Sequence, residues 1–138
     1  MRDDEHFALL TRKLFHSGFN KALVDRKWPA FEEVFHGFSP ERVARMSEVE
    51  VEQALQDSRI VRHRKKVRAT VHNAALFCRI AREHGSWEDW LASRRSDPYA
   101  ERARPLVRGL AHCGPNTVFY YLLEAGEATR DERPAGVN

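Results

Sequence analysis

Apolar and polar positions along this chain alternate with helical period almost throughout. No segment shows the strict period-two alternation, bounded by turn residues, that marks a strand. Phe7, Leu10 and Leu14 recur at i, i+3 and i+7 and predict a first helix over about Asp4–His16, stopped by Gly18. A second helix is expected to start after Asn20 and to be limited by Pro29. A short third helix over Ala30–Phe35 should then use Pro29 at its first turn. Ser39-Pro40 reads as a helix start, and Ser47 with Glu50 has the spacing of a capping box opening a helix over Glu48–Gln56. The longest helix is predicted from Val61 or Arg62 to His84, with Val67, Val71, Ala74, Cys78 and Ala81 as its apolar stripe. Ser86 and Asp89 suggest a further capping box ahead of Trp87–Leu91. Arg94–Asp97 reads as a loop, and another helix should end near Arg108. Pro115 opens a last helix through Leu123, and residues 127–138 are expected to fray. The prediction is all-α: one compact domain over residues 1–138, a bundle of short helices set at angles to one another.

Composition narrows the class. At 138 residues the chain can bury one core without staples. Its two cysteines, Cys78 and Cys113, form no C-x-x-C pair, so neither a disulfide framework nor a zinc ribbon is indicated; Cys78 is expected to be a core thiol. No apolar run is long enough to span a bilayer and no signal-peptide core is present. A reduced, cytoplasmic protein acting as a monomer, with no membrane partner, is the expectation. The net charge is only +3, but its distribution is uneven. Residues 59–83 carry Arg59, Arg62, Arg64, Lys65, Lys66, Arg68, Arg79 and Arg82 against Glu83, while residues 31–57 are mainly acidic. This is either a nucleic-acid-facing surface or the solvated side of an amphipathic helix.

The most informative local pattern is Arg108-Gly109-Leu110-Ala111-His112-Cys113-Gly114-Pro115-Asn116-Thr117. A helix ends at Gly109, Leu110 and Cys113 can pack between two helices, and Gly114 would allow a turn with positive φ before Pro115 restarts the chain. The layout suits a helix-hairpin-helix, whose unpaired N–H groups and helix dipole favour a phosphate. An ordinary corner between two helices has the same punctuation.

Three stretches together resemble the DNA-3-methyladenine glycosylase I family, within the helix-hairpin-helix DNA glycosylases. The first runs from Ser17-Gly18-Phe19 through Lys27 to Phe35-His36-Gly37-Phe38-Ser39-Pro40 and on to Met46. The second is Gln56-Asp57-Ser58-Arg59-Ile60-Val61-Arg62-His63-Arg64-Lys65-Lys66-Val67, followed by Val71-His72-Asn73-Ala74. The third is Arg108-Gly109-Leu110 with Gly114-Pro115-Asn116-Thr117-Val118 and Ala125-Gly126. The resemblance implies a DNA-glycosylase-like fold, duplex DNA as partner, and base-excision repair. In that chemistry an alkylated adenine is flipped out of the helix and its N-glycosidic bond hydrolysed. It places the DNA clamp at Gly109, Leu110, His112, Gly114, Asn116 and Thr117. The basic contacts fall at Arg62, His63, Arg64, Lys65 and Lys66, and an apolar wedge at Gly18-Phe19, where Phe19 could equally be a core aromatic.

The chain departs from the family where the chemistry sits. Lys13 occupies the position of the family's pocket glutamate and Lys21 that of its stacking tryptophan; a lysine there repels a cationic base. Either lysine could instead be a phosphate contact or a surface charge. The Cys and His ligands of the family's structural zinc have no counterparts, so no metal and no cofactor is expected. Asp131 is the candidate for a catalytic aspartate beyond the hairpin's second helix, with a solvated tail residue as the alternative. His16, His36, His72 and His84 show no metal-ligand spacing and read as structural or exposed. The leading expectation is a glycosylase-like repair protein; the rival is a non-catalytic DNA-binding module lacking the lesion pocket.

Overall fold

The computed structural model describes residues 1–138 and contains eight α-helices and no strand. These are α1 (Asp3–His16), α2 (Lys21–Val34), α3 (Pro40–Ala44), α4 (Glu48–Gln56), α5 (Arg64–His84), α6 (Trp87–Ser93), α7 (Tyr99–Gly109) and α8 (Pro115–Glu124). Short 3₁₀ turns cover His36–Phe38 and Arg130–Glu132. The all-α expectation therefore holds. α5 runs through the middle, packed by α1, α3, α4 and α6, while α1 also meets α2 and α8. One continuous core of 30 buried residues joins them. Its aromatic heart stacks Trp28 on Phe38, with ring centroids 5.1 Å apart, and Phe77 on Trp87 at 3.6 Å.

Local signals set most helix starts. Asn20, Ser39, Ser47 and Ser86 each accept a backbone N–H three residues on, and Ser47 with Glu50 forms both bonds of a capping box. Three expectations are corrected. Pro29 does not divide α2, and Ala30–Phe35 is not a separate helix. Val24, Trp28 and Phe31 bury one face on both sides of the proline, and that burial outweighs the missing hydrogen bond. α5 begins at Arg64, because the His63 side chain accepts the Lys66 N–H at 3.2 Å and acts as cap. The buried arc of α5 is wider than the predicted stripe and shifted from it: Thr70, Asn73, Leu76, Phe77 and Ile80 are buried, while Val71, Cys78 and Ala81 are half-buried. Residues 127–138 fold back onto the helices. Arg95 pairs with Glu127 at 2.7 Å, Arg102 with Glu132 at 2.5 Å, and Val137 is buried.

The two prolines inside helices differ in a testable way. Pro105 in α7 leaves the Glu101 carbonyl without a helical donor, and the Arg94 guanidinium donates to it instead. Pro29 is exposed, and the Asp25 carbonyl four residues earlier receives no such substitute. Pro29→Ala should restore a helical hydrogen bond and raise stability by about 1–2 kcal/mol, measured as a higher thermal midpoint.

Candidate functional site

The turn between α1 and α2 lies beside the start of α8, and a cleft of about 330 Å³ opens between them. Its walls are Lys13, His16, Ser17, Gly18, Lys21, Asn116, Thr117, Tyr120 and Asn138. Residues far apart in sequence meet here: Lys13 from α1, Gly18 and Lys21 from the first matched stretch, Asn116 and Thr117 from the third. Gly18 takes φ +81°, which lets α1 turn sharply into α2. Lys13 pairs with Glu124 of α8 at 2.7 Å, drawing the two cleft walls together. His16 reaches Asp25 of α2 at 2.7 Å, and Arg12 donates to the same carboxylate oxygen at 2.9 Å. The His16 hydrogen bond, followed by the Arg12 bond and charge, holds the Asp25 carboxyl below its ordinary value despite the opposing effect of desolvation.

The α7–α8 turn forms the adjoining edge. Gly109 brings α7 against α5: a Cβ there would stand 3.2 Å from Leu76 Cδ2. Leu110 and Cys113 are buried beneath the turn. Burial pushes the Cys113 thiol up to about 12, so it is no thiolate nucleophile. Asn73, which is 1% exposed, pins the turn from α5: its Oδ1 accepts the Ala111 N–H at 2.7 Å and its Nδ2 donates to the Ala111 carbonyl at 3.2 Å. His72 Nε2 donates to the Gly109 carbonyl at 3.3 Å. The positive φ in this turn belongs to His112, at +55°; Gly114, expected to carry it, has φ −80°. A Cβ at Gly114 would meet nothing within 4 Å. No side chain caps α8, and the N–H groups of Gly114, Asn116 and Thr117 have no partner within the chain. They and the helix dipole present a positive end beside the cleft.

The basic run is less free than its sequence suggests. Arg68 makes a two-pronged pair with Glu48, at 3.0 and 2.9 Å, and Arg64 pairs with Glu52. Lys66 turns inward. Its ammonium donates to the Leu14 carbonyl at 2.9 Å and to that of Ser17, closing the end of α1, and sits 4.8 Å over the Phe19 ring. That burial lowers its pKa from the ordinary lysine value. Phe19 is half-buried, edge-on to His63 at 5.7 Å, and does not line the cleft. Arg62 and Lys65 remain exposed and unpaired. Lys65 lies seven residues from His72, two turns or roughly 10 Å along the same face of α5. It therefore points the way His72 does, toward the side that carries the α7–α8 turn.

Other expected site residues are not gathered here. Asp131 is exposed in the final 3₁₀ turn and is not among the cleft walls. Cys78 is half-buried between α3 and α5, away from this site. Nowhere do three His, Cys, Asp or Glu side chains converge as metal ligands, so the residues present do not fit the zinc that the resemblance implies. His16, Ser17, Tyr120 and Asn138 were missed as cleft residues. No helix is long and apolar enough to cross a membrane.

The architecture is that of DNA glycosylase I. The structure of 3-methyladenine DNA glycosylase I from Staphylococcus aureus matches with a TM-score of 0.82 and 27% identity, covering 96% of this chain and 84% of that one. A profile of the methyladenine glycosylase family matches residues 1–106, and the chain belongs to that family. Among relatives, the Escherichia coli DNA-3-methyladenine glycosylase 1 is 32% identical over 87 residues, which is 63% of this chain and 46% of that protein. The Haemophilus influenzae DNA-3-methyladenine glycosylase is 29% identical over 77 residues, 56% of this chain and 42% of that protein. The matched stretch spans less than half the length of either relative. The resemblance read from the three stretches is thus borne out. The third stretch lies beyond the profile match, so its place beside the first rests on the fold.

Proposed function

We propose that this chain is a DNA-glycosylase-like base-excision protein. It holds duplex DNA on the α7–α8 helix-hairpin-helix and receives a flipped nucleotide in the adjoining cleft. The observation that carries this reading is the meeting of that cleft with the uncapped start of α8. A phosphate placed against the free N–H groups of Gly114, Asn116 and Thr117 would set the neighbouring nucleotide at the cleft's mouth. The cleft's volume lies within the range of small-molecule sites. Lys65 on the face of α5, and Arg62 just before that helix, supply further phosphate contacts.

A second reading, a non-catalytic DNA-binding module, is favoured by one observation. No Asp or Glu side chain lines the cleft, and Lys13 at the family's glutamate position is already bound to Glu124. Incubation with duplexes carrying a panel of damaged bases, alkylated and deaminated, separates the two readings: release of any free base above a buffer blank supports the enzyme, and release of none supports the binder.

The clamp makes its own prediction. Gly114→Val should fold with stability changed by less than about 0.5 kcal/mol, because the position is exposed, open and at ordinary φ. Its side chain would stand before the free N–H groups and should weaken duplex binding by about tenfold or more. Arg62→Glu and Lys65→Glu should weaken binding to all sequences alike and flatten its salt dependence. Wild-type protein that fails to retain duplex DNA at low ionic strength would refute the reading.

A further inference from the structure

The charged side chains on the walls of the cleft carry one sign. Lys13 and Lys21 line it, no Asp or Glu side chain does, and Asn116 and Thr117 bring the positive end of α8 to its rim. Glu124, which pairs with Lys13, is 55% exposed and is not among the walls. A cation entering this site would meet like charge, whereas an anion forming there would be stabilised.

His16 adds a second feature. Its ring lines the same cleft, and its Nε2 lies 2.7 Å from Asp25 Oδ1. A carboxylate oxygen only accepts, so Nε2 carries the proton. In the neutral imidazole Nδ1 is then the lone-pair nitrogen, and it has no hydrogen bond inside the chain. Asp25, itself held by Arg12, thus fixes the tautomer of a potential general base. Lys13 and His16 are three residues apart on α1, so the ammonium and the imidazole share one face.

We infer that the cleft accepts a flipped nucleotide whose base is uncharged and leaves as an anion, namely a deaminated, lactam-type base with an acidic ring N–H, and that His16 is the general base. This deepens the function proposed above and rests on it. The C1′–N bond breaks with its electron pair going to the base nitrogen, and the resulting anion lies against the Lys13 and Lys21 ammonium groups. Water forms the new C1′–O bond and gives its proton to His16 Nδ1, from which it passes to the departing base. One water is consumed; the products are an abasic site and a neutral free base. A cationic alkyladenine leaves already neutral and gains nothing from two lysines.

The test incubates the full chain with duplex oligonucleotides containing uracil, hypoxanthine or xanthine and, in parallel, with alkylated duplex, and separates the free bases by chromatography. The expected result is release from at least one deaminated duplex and none of 3-methyladenine. His16→Gln should lower kcat about 10²–10⁴-fold with duplex retention unchanged. Asp25→Asn should lower kcat with KM unaltered, as a positioning residue does. Lys21→Glu, at an exposed position that the fold does not depend on, should lower release of the deaminated base about tenfold or more. Release of 3-methyladenine alone overturns the inference and leaves the glycosylase reading standing. Duplex binding without release of any base overturns it in favour of the non-catalytic module. Full activity in His16→Gln removes His16 from the chemistry, and failure to bind duplex removes the underlying reading as well.

Discussion

Asn73→Leu is expected to cost about 3 kcal/mol of stability and to abolish retention of duplex DNA. The exchange keeps the branched shape and the number of heavy atoms, so no cavity forms. What is lost is the pair of hydrogen bonds to Ala111, at 2.7 and 3.2 Å, by which α5 holds the α7–α8 turn. Leucine offers neither acceptor nor donor. The Ala111 N–H and carbonyl are half-buried and would be left without partners, at roughly 1–3 kcal/mol each. The turn also has to keep His112 in the left-handed region, which a non-glycine residue adopts only under constraint. Releasing the Ala111 anchor removes that constraint, and the free N–H groups before α8 lose their common direction. Chemical denaturation gives the stability change, and retention at several salt concentrations gives the binding change. An unchanged denaturation midpoint would show that Asn73 does not pin the turn.

The sequence stretch containing Asn73 was legible as part of a matched motif, but its role was not. A polar residue in a basic helix reads as exposed until the chain that crosses it is known, and that chain lies 38 residues further on. Local signals fared better. The caps at Ser39, Ser47 and Ser86 act within one helical turn, so their sequence spacing suffices to set where those helices start. Pro29 misled because its local cost is visible while the burial of Trp28 and Phe31 that offsets it is tertiary. The stripe predicted on α5 assumed one buried face. α5 is packed by α1, α3, α4 and α6, and its buried arc is correspondingly broad.

The candidate site shows the same division. The family resemblance brought Lys13, Gly18, Lys21, Asn116 and Thr117 into view, and the fold unites them in one cleft. His16 was set aside because its spacing to other histidines suits no metal. The informative relation was its helical register with Lys13 and its contact with Asp25, which needs the angle between α1 and α2. The basic run carried an overlooked signal. Glu48 and Glu52 are four apart on α4, as Arg64 and Arg68 are on α5, and the two pairs face each other. Matched spacing of opposite charges marks an interhelical seam as readily as a nucleic-acid face. Only Arg62 and Lys65, which lack such counterparts, stay free among the five basic positions of residues 62–66.

Tyr121→Phe is expected to cost about 2–5 kcal/mol, although it removes one oxygen. Tyr121, His6 and Trp87 are fully buried, and their polar atoms form a single chain. The Trp87 indole N–H can only donate, and it donates to Tyr121 Oη at 2.8 Å. The hydroxyl must then donate its own proton to His6 Nδ1, 2.8 Å away. That in turn places the His6 proton on Nε2, facing Glu88 Oε1 at 3.1 Å. Every direction in this chain depends on the hydroxyl being both acceptor and donor. Phenylalanine leaves a buried indole N–H and a buried imidazole nitrogen unpaired at once, each at roughly 1–3 kcal/mol. The neighbouring Tyr120 is half-buried and its hydroxyl meets only the main-chain oxygen of Asn138, so Tyr120→Phe should change stability by less than about 1 kcal/mol. Thermal midpoints of the two variants provide the comparison. Equal, small losses in both would mean that water takes the place of the Tyr121 hydroxyl and that the chain from Trp87 to Glu88 does not act as a unit.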